Sequence, residues 1–87
     1  MLDYPLFDRD GGIRATAQRE LQQFFPHDGW VEHDPEHIWS DTLAVCREAL
    51  TKASVAAAEV AAIGITNQRE TTLVWERSSG RAVHKAI

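Results

Sequence analysis

Four consecutive polar side chains, Asn67, Gln68, Arg69 and Glu70, interrupt an apolar stretch. Val60 to Thr66 leads into them and "TTLVW", Thr71 to Trp75, resumes after them. An arginine offers a fork of donors and a glutamate offers acceptors. Side by side they can grip adjacent hydroxyls, each of which both donates and accepts. Charge-assisted hydrogen bonds of this kind are worth about 1.5–3 kcal/mol each in a dry site. An extended backbone sends neighbouring side chains to opposite faces, so Arg69 and Glu70 share a pocket only where the chain turns. Strand ends are where open α/β sheets bind ligands. A solvated hairpin turn explains the same residue types and is the commoner use of them.

The other reactive side chains point less clearly to chemistry. His27, His33 and His37 lie among Glu32, Asp34 and Glu36, and His33 and His37 have the i, i+4 spacing of some zinc sites. Pro35 and a helix start fall between those two, however, and no third ligand is identifiable. A solvated loop before a capped helix accounts for them. His84 reads as a half-buried ring in a terminal strand. Cys46, the single cysteine, lies on the apolar stripe of a helix and reads as a small buried hydrophobe. The sequence contains neither GxxxxGK[ST] nor GxGxxG. No catalytic, cofactor-binding or metal-ligating set emerges.

The elements that must position these residues follow from pattern and punctuation. Tyr4 to Gly12 predicts a short strand running into a turn, with Asp8, Asp10, Gly11 and Gly12 supplying the turn chemistry. Ile13 to Leu21 alternates with the period of a strand that has one wet face, which predicts a hairpin. Phe24, Phe25 and Trp30 are expected as buried anchors in a polar connection. Asp34-Pro35 announces a helix: aspartate caps free N–H groups, and proline at the first helical position loses nothing. Glu36 suits the positive end of the dipole. Trp39, Leu43, Cys46 and Leu50, widened by Ile38, Val45 and Ala49, predict an amphipathic helix of about four turns ending near Lys52 and Ala53. Ser54 to Glu59 reads as a short helical turn. Val60 to Thr66 predicts a central strand covered on both faces. Another strand, an "SSGR" turn and a final strand from Ala82 to Ile87 complete the pattern. The order predicts an α/β (or α+β) layer, a mixed sheet of about five strands covered by one long amphipathic helix.

Bulk properties narrow the class. The chain has 87 residues, a formal net charge of -4, 44% hydrophobic and 25% charged residues. That is ordinary for one small globular domain or part of a larger one. The charge argues against a nucleic-acid footprint and against a basic membrane-surface helix. No apolar run approaches the ~20 residues of a membrane span. The N-terminus has no secretory pattern, and a lone cysteine suits a reducing cytoplasm.

"GWVEHDPEHIW" (Gly29 to Trp39) together with "AAIGITNQRETTLVWERSSGRAVHKAI" (Ala61 to Ile87) resembles the glycerol kinases, within the sugar/polyol-kinase family with an actin-like, ribonuclease-H-like ATPase fold. The likeness runs from about Leu6 to the end. It implies that residues 1–87 are an incomplete N-terminal domain of such a kinase, which in its intact form phosphorylates glycerol to glycerol 3-phosphate with ATP and magnesium. It implies that Arg69 and Glu70 hydrogen-bond the glycerol hydroxyls. The family's Gly/Thr/Ser-rich phosphate loop has no counterpart here, and Lys85 stands where asparagine is usual. Because phosphoryl transfer rests on positioning and electrostatic stabilisation, the isolated chain is expected to have no kinase activity. A kinase of another polyol or ketose, and a non-catalytic remnant or interaction module, are the alternative readings. Exposed strand edges are expected to promote self-association.

Overall fold

The computed structural model describes residues 2–67 and 71–87. Regular structure is carried by two antiparallel strands, β1 (Leu2–Phe7) and β2 (Ile13–Arg19), and one helix, α1 (Pro35–Ala53). A single 3-10 turn follows at Ala57–Glu59.

The expected hairpin forms, and local chemistry explains its turn. Asp8 Oδ1 accepts from the backbone N–H groups of Asp10 and Gly12, each at 2.9 Å. Gly11 takes φ 84, a left-handed conformation that costs a residue with a Cβ about 1–2 kcal/mol. Leu6 faces Ala15 and Phe7 faces Ile13, so Arg14 is the extra residue of a bulge beside the turn. Along β1, Leu2, Tyr4 and Leu6 are half-buried while Asp3, Pro5 and Phe7 are exposed, the period of two of a one-sided strand. Pro5 pairs with Thr16 but has no N–H to give. That pair is therefore a non-hydrogen-bonded one, and the ring nitrogen of Pro5 faces the outer edge of β1.

The helix begins and ends as its sequence directs. Asp34 stays extended, and its Oδ1 accepts from the Glu36 N–H at 2.9 Å. Pro35 occupies the first turn and Glu36 adds its negative charge there. At the other end Ser54 adopts φ 55, ψ 42. Its N–H donates to the Thr51 carbonyl at 3.1 Å, and the Val55 N–H donates to the Leu50 carbonyl at 3.0 Å. This is a Schellman ending with serine where glycine is usual.

α1 lies across the hairpin, and Ala17, Val45 and Ala49 form its core with Tyr4 packed against them. Small residues let helix and strand approach closely. Two polar ties fix the orientation: Lys52 Nζ donates to the Thr16 carbonyl at 3.1 Å, and Arg19 Nη1 meets Asp41 Oδ1 at 3.3 Å. The helix consequently runs opposite to β2.

Several expectations are corrected. The buried helix face centres on Val45 and Ala49, and Trp39 is 59% exposed. The stripe through Trp39, Leu43, Cys46 and Leu50 is thus displaced from the true contact. Phe25 and Trp30 are exposed rather than buried anchors. Among the described residues the sheet has two strands, not about five. Among the described residues, 60–67 contain no strand, and Ile65 is 91% exposed. Residues 71–87 contribute isolated bridges instead of the two strands expected there. The physical reason is shared. Strand preference expresses fit to a neighbouring ladder and a covered face, and the described residues offer the 60–66 run neither.

Candidate functional site

Arg69 and Glu70, the predicted polyol-gripping pair, lie outside the described residues together with Gln68. The residues that flank them are described. Thr72 is fastened to Ile87: its N–H donates to the Ile87 carbonyl at 2.6 Å, and the Ile87 N–H donates back at 3.0 Å. Beyond it the chain doubles back. The Val83 N–H donates to Val74 at 2.9 Å, Trp75 bridges Ala82, and the Glu76 N–H donates to Arg81 at 2.7 Å. Gly80, at φ 74, closes the turn, with its N–H donating to the Glu76 carbonyl. The Ser79 and Ser78 hydroxyls hold the Glu76 carboxyl below the usual carboxylate range.

The partner of this segment is the loop before α1. The His33 N–H donates to Ala86 at 2.8 Å, and the Ala86 N–H returns the bond at 2.8 Å. One residue earlier, Glu32 exchanges the same pair of bonds with Phe24, both at 2.8 Å. Successive residues of an extended chain bond to opposite sides, so four segments lie side by side in the order Phe24, Glu32-His33, Ala86-Ile87, Thr72. This short ladder joins the start of the helix to Thr72, two residues past the polar stretch. Glu32, His33 and Ala86 are buried within it.

Side chains add to the ladder. The Glu32 carboxylate, its side chain only 6% exposed, meets His84 Nε2 at 3.5 Å. Lys85 places its Nζ 4.9 Å from the centre of the Phe24 ring, a cation–π contact. The Phe24 ring also lies 6.1 Å from that of His37. His84 is exposed at its side chain, not half-buried as expected. His33 is buried rather than solvated, whereas His27 and His37 stay exposed. His27 stacks edge-on against Trp30 at 4.6 Å, and His37 sits 3.8 Å from Asp34. Among the described residues no three His, Cys, Asp or Glu side chains converge as a metal site. Cys46 is half-buried on α1, and burial pushes its thiol up, away from the thiolate that does chemistry.

Sequence reasoning missed Glu32. It stands in "VEHDP" as one acid among several, and nothing local marks it as buried. Its signal is long-range: a carboxylate that leaves water needs a cationic or hydrogen-bonding partner, and that partner, His84, is far along the chain.

Comparison with known proteins gives the family. Over 82 residues the chain is 62% identical to a glycerol kinase of Afipia carboxidovorans and 62% identical to one of Methylibium petroleiphilum. It is 60% identical to a glycerol kinase of Rhodospirillum rubrum. Each match covers 94% of this chain and 16–17% of the relative, so the chain spans about one sixth of the length of the curated relatives it matches. No helix among the described residues is long and apolar enough to cross a membrane. Residues 4–87 match the N-terminal domain of the FGGY family of carbohydrate kinases, and the chain belongs to that family.

Proposed function

We propose that these residues form part of the acceptor site of an ATP-dependent kinase that phosphorylates glycerol, with Arg69 and Glu70 gripping its hydroxyls. The observation that supports this is the likeness of the chain as a whole to glycerol kinases. A match over 94% of the chain takes in residues 64–72, and the relatives it reaches are named glycerol kinases. The residue chemistry agrees: a donor fork beside an acceptor pair suits a diol.

The division of labour follows from what the chain holds. Phosphoryl transfer needs an oriented hydroxyl, a held nucleotide and neutralised phosphate charge. The residues here serve the first requirement. For the second and third the sequence offers no glycine-rich phosphate loop. ATP and a divalent metal belong to the remainder of a complete kinase, in a reducing cytoplasm that suits a lone half-buried thiol. The 87 residues alone have no turnover on this reading.

The test is a chimera. The 82 matching residues of the Afipia carboxidovorans enzyme are replaced by those of this chain, and ADP release is followed with glycerol, longer polyols and ketoses. The proposal expects glycerol to be the preferred acceptor. A folded chimera that prefers a ketose, or phosphorylates none of them, overturns it.

The isolated chain has a second property under this reading. Apolar side chains that a complete kinase would cover, such as Ile63, Ile65, Val74 and Val83, are exposed, and we infer that it self-associates through them. The outer edge of β1 contributes less, because Pro5 removes a donor from its middle.

A further inference from the structure

We infer that Glu32 and His84 are positioning residues for the polyol-gripping stretch, acting through the ladder that ends at Thr72. The inference rests on the proposed polyol role of Arg69 and Glu70 and deepens it. Residues 84–87 lie between two fixed neighbours. On one side Ala86 is bonded both ways to His33, whose next residue caps α1; on the other, Ile87 is bonded both ways to Thr72, two residues past the polar stretch. Any sliding of 84–87 carries Thr72 with it.

The Glu32–His84 contact stops that sliding. Glu32 is itself held by two 2.8 Å backbone bonds to Phe24, so its buried carboxylate is a fixed post. Its 3.5 Å contact is with His84 Nε2, and His84 Nδ1 lies 3.1 Å from the Lys85 carbonyl. The ring therefore meets an oxygen at each nitrogen. Lys85 over Phe24 ties the same two segments a second time. A buried carboxylate is costly unless its partner is well placed, and here the partner is a largely exposed ring. What the pair accomplishes is register, between the start of the helix and Thr72.

The variants are made in the active chimera. His84 is largely exposed, so His84→Ala leaves the fold intact. It is expected to raise KM for glycerol about 10-fold, well inside the ~100-fold that a misplacement of about 1 Å can cost. KM for ATP should stay within twofold and the melting temperature unchanged. His84→Gln, whose amide nitrogen reaches the place of Nε2, is expected to restore KM; His84→Asn, whose amide stops short, is not. Glu32→Leu, which keeps the volume but offers no acceptor, is expected to match His84→Ala, and the double variant to be no worse than either. An unchanged KM for glycerol in His84→Ala overturns the inference, as does a parallel rise in KM for ATP or failure of glutamine to rescue. Failure of the underlying reading is separate: it shows as loss of glycerol phosphorylation in the parent chimera, or as an Arg69→Ala variant indistinguishable from it.

Discussion

At the scale of single residues, legibility depended on how far away the deciding partner lies. Asp34 could be read as a cap because its target, the Glu36 N–H, is two residues on. Asp8 could be read as a turn former for the same reason. His84 and Glu32 gave no such sign, and His84 was expected to be half-buried. Cys46 reads in the sequence as a small buried hydrophobe; it is half-buried, and that burial raises its thiol. We expect Cys46 to react with a disulfide reagent at pH 8 several-fold more slowly than free cysteine. Labelling at the rate of the free amino acid would show a thiolate that burial does not suppress.

At the scale of elements, the hairpin and the helix were legible because each carries its own start and stop. The strand expected at Val60 to Thr66 was not, since a fully apolar run is a strand only when a sheet receives it. The helix ending makes a prediction. Ser54 holds a left-handed conformation that glycine adopts without the Cβ penalty, so Ser54→Gly should stabilise the fold by about 0.5–1 kcal/mol. Asp34→Ala, which removes the N-cap, should cost about 1 kcal/mol. Denaturant melts of the two variants check both signs, and equal midpoints would contradict the cap assignments. The Glu76 turn adds a pH dependence. Hydrogen bonds from Ser79 and Ser78 lower the Glu76 carboxyl in the folded chain. Its contribution is therefore present above the ordinary carboxylate range and lost as pH falls through the folded value. Glu76→Gln should remove that part of the acid dependence, as followed by amide exchange at Gly80. An unaltered acid profile would place the effect elsewhere.

At the scale of the whole molecule, the surface explains why fewer strands formed than the pattern suggested. The chain exposes 7125 Å², whereas a compact monomer of 9.8 kDa is expected to expose about 5,200 Å². Its radius of gyration is 15.6 Å against about 12 Å for a compact domain of this length. The chain leaves large apolar side chains such as Ile63, Ile65 and Val83 exposed, and apolar periodicity cannot distinguish an intramolecular cover from an absent one. The isolated chain should therefore sediment as dimers or larger species at tens of micromolar, with Ile65→Lys shifting it toward the monomer. A single 9.8 kDa species at every concentration would contradict the self-association reading.

The central claim is that Arg69 and Glu70 hold the acceptor hydroxyls of a carbohydrate kinase. Steady-state kinetics of Arg69→Ala in the active chimera tests it most directly. Loss of one charge-assisted hydrogen bond of about 1.5–3 kcal/mol predicts a fall in kcat/KM for glycerol of about 10- to 150-fold, with KM for ATP little changed. A kcat/KM for glycerol equal to that of the parent chimera would contradict the claim.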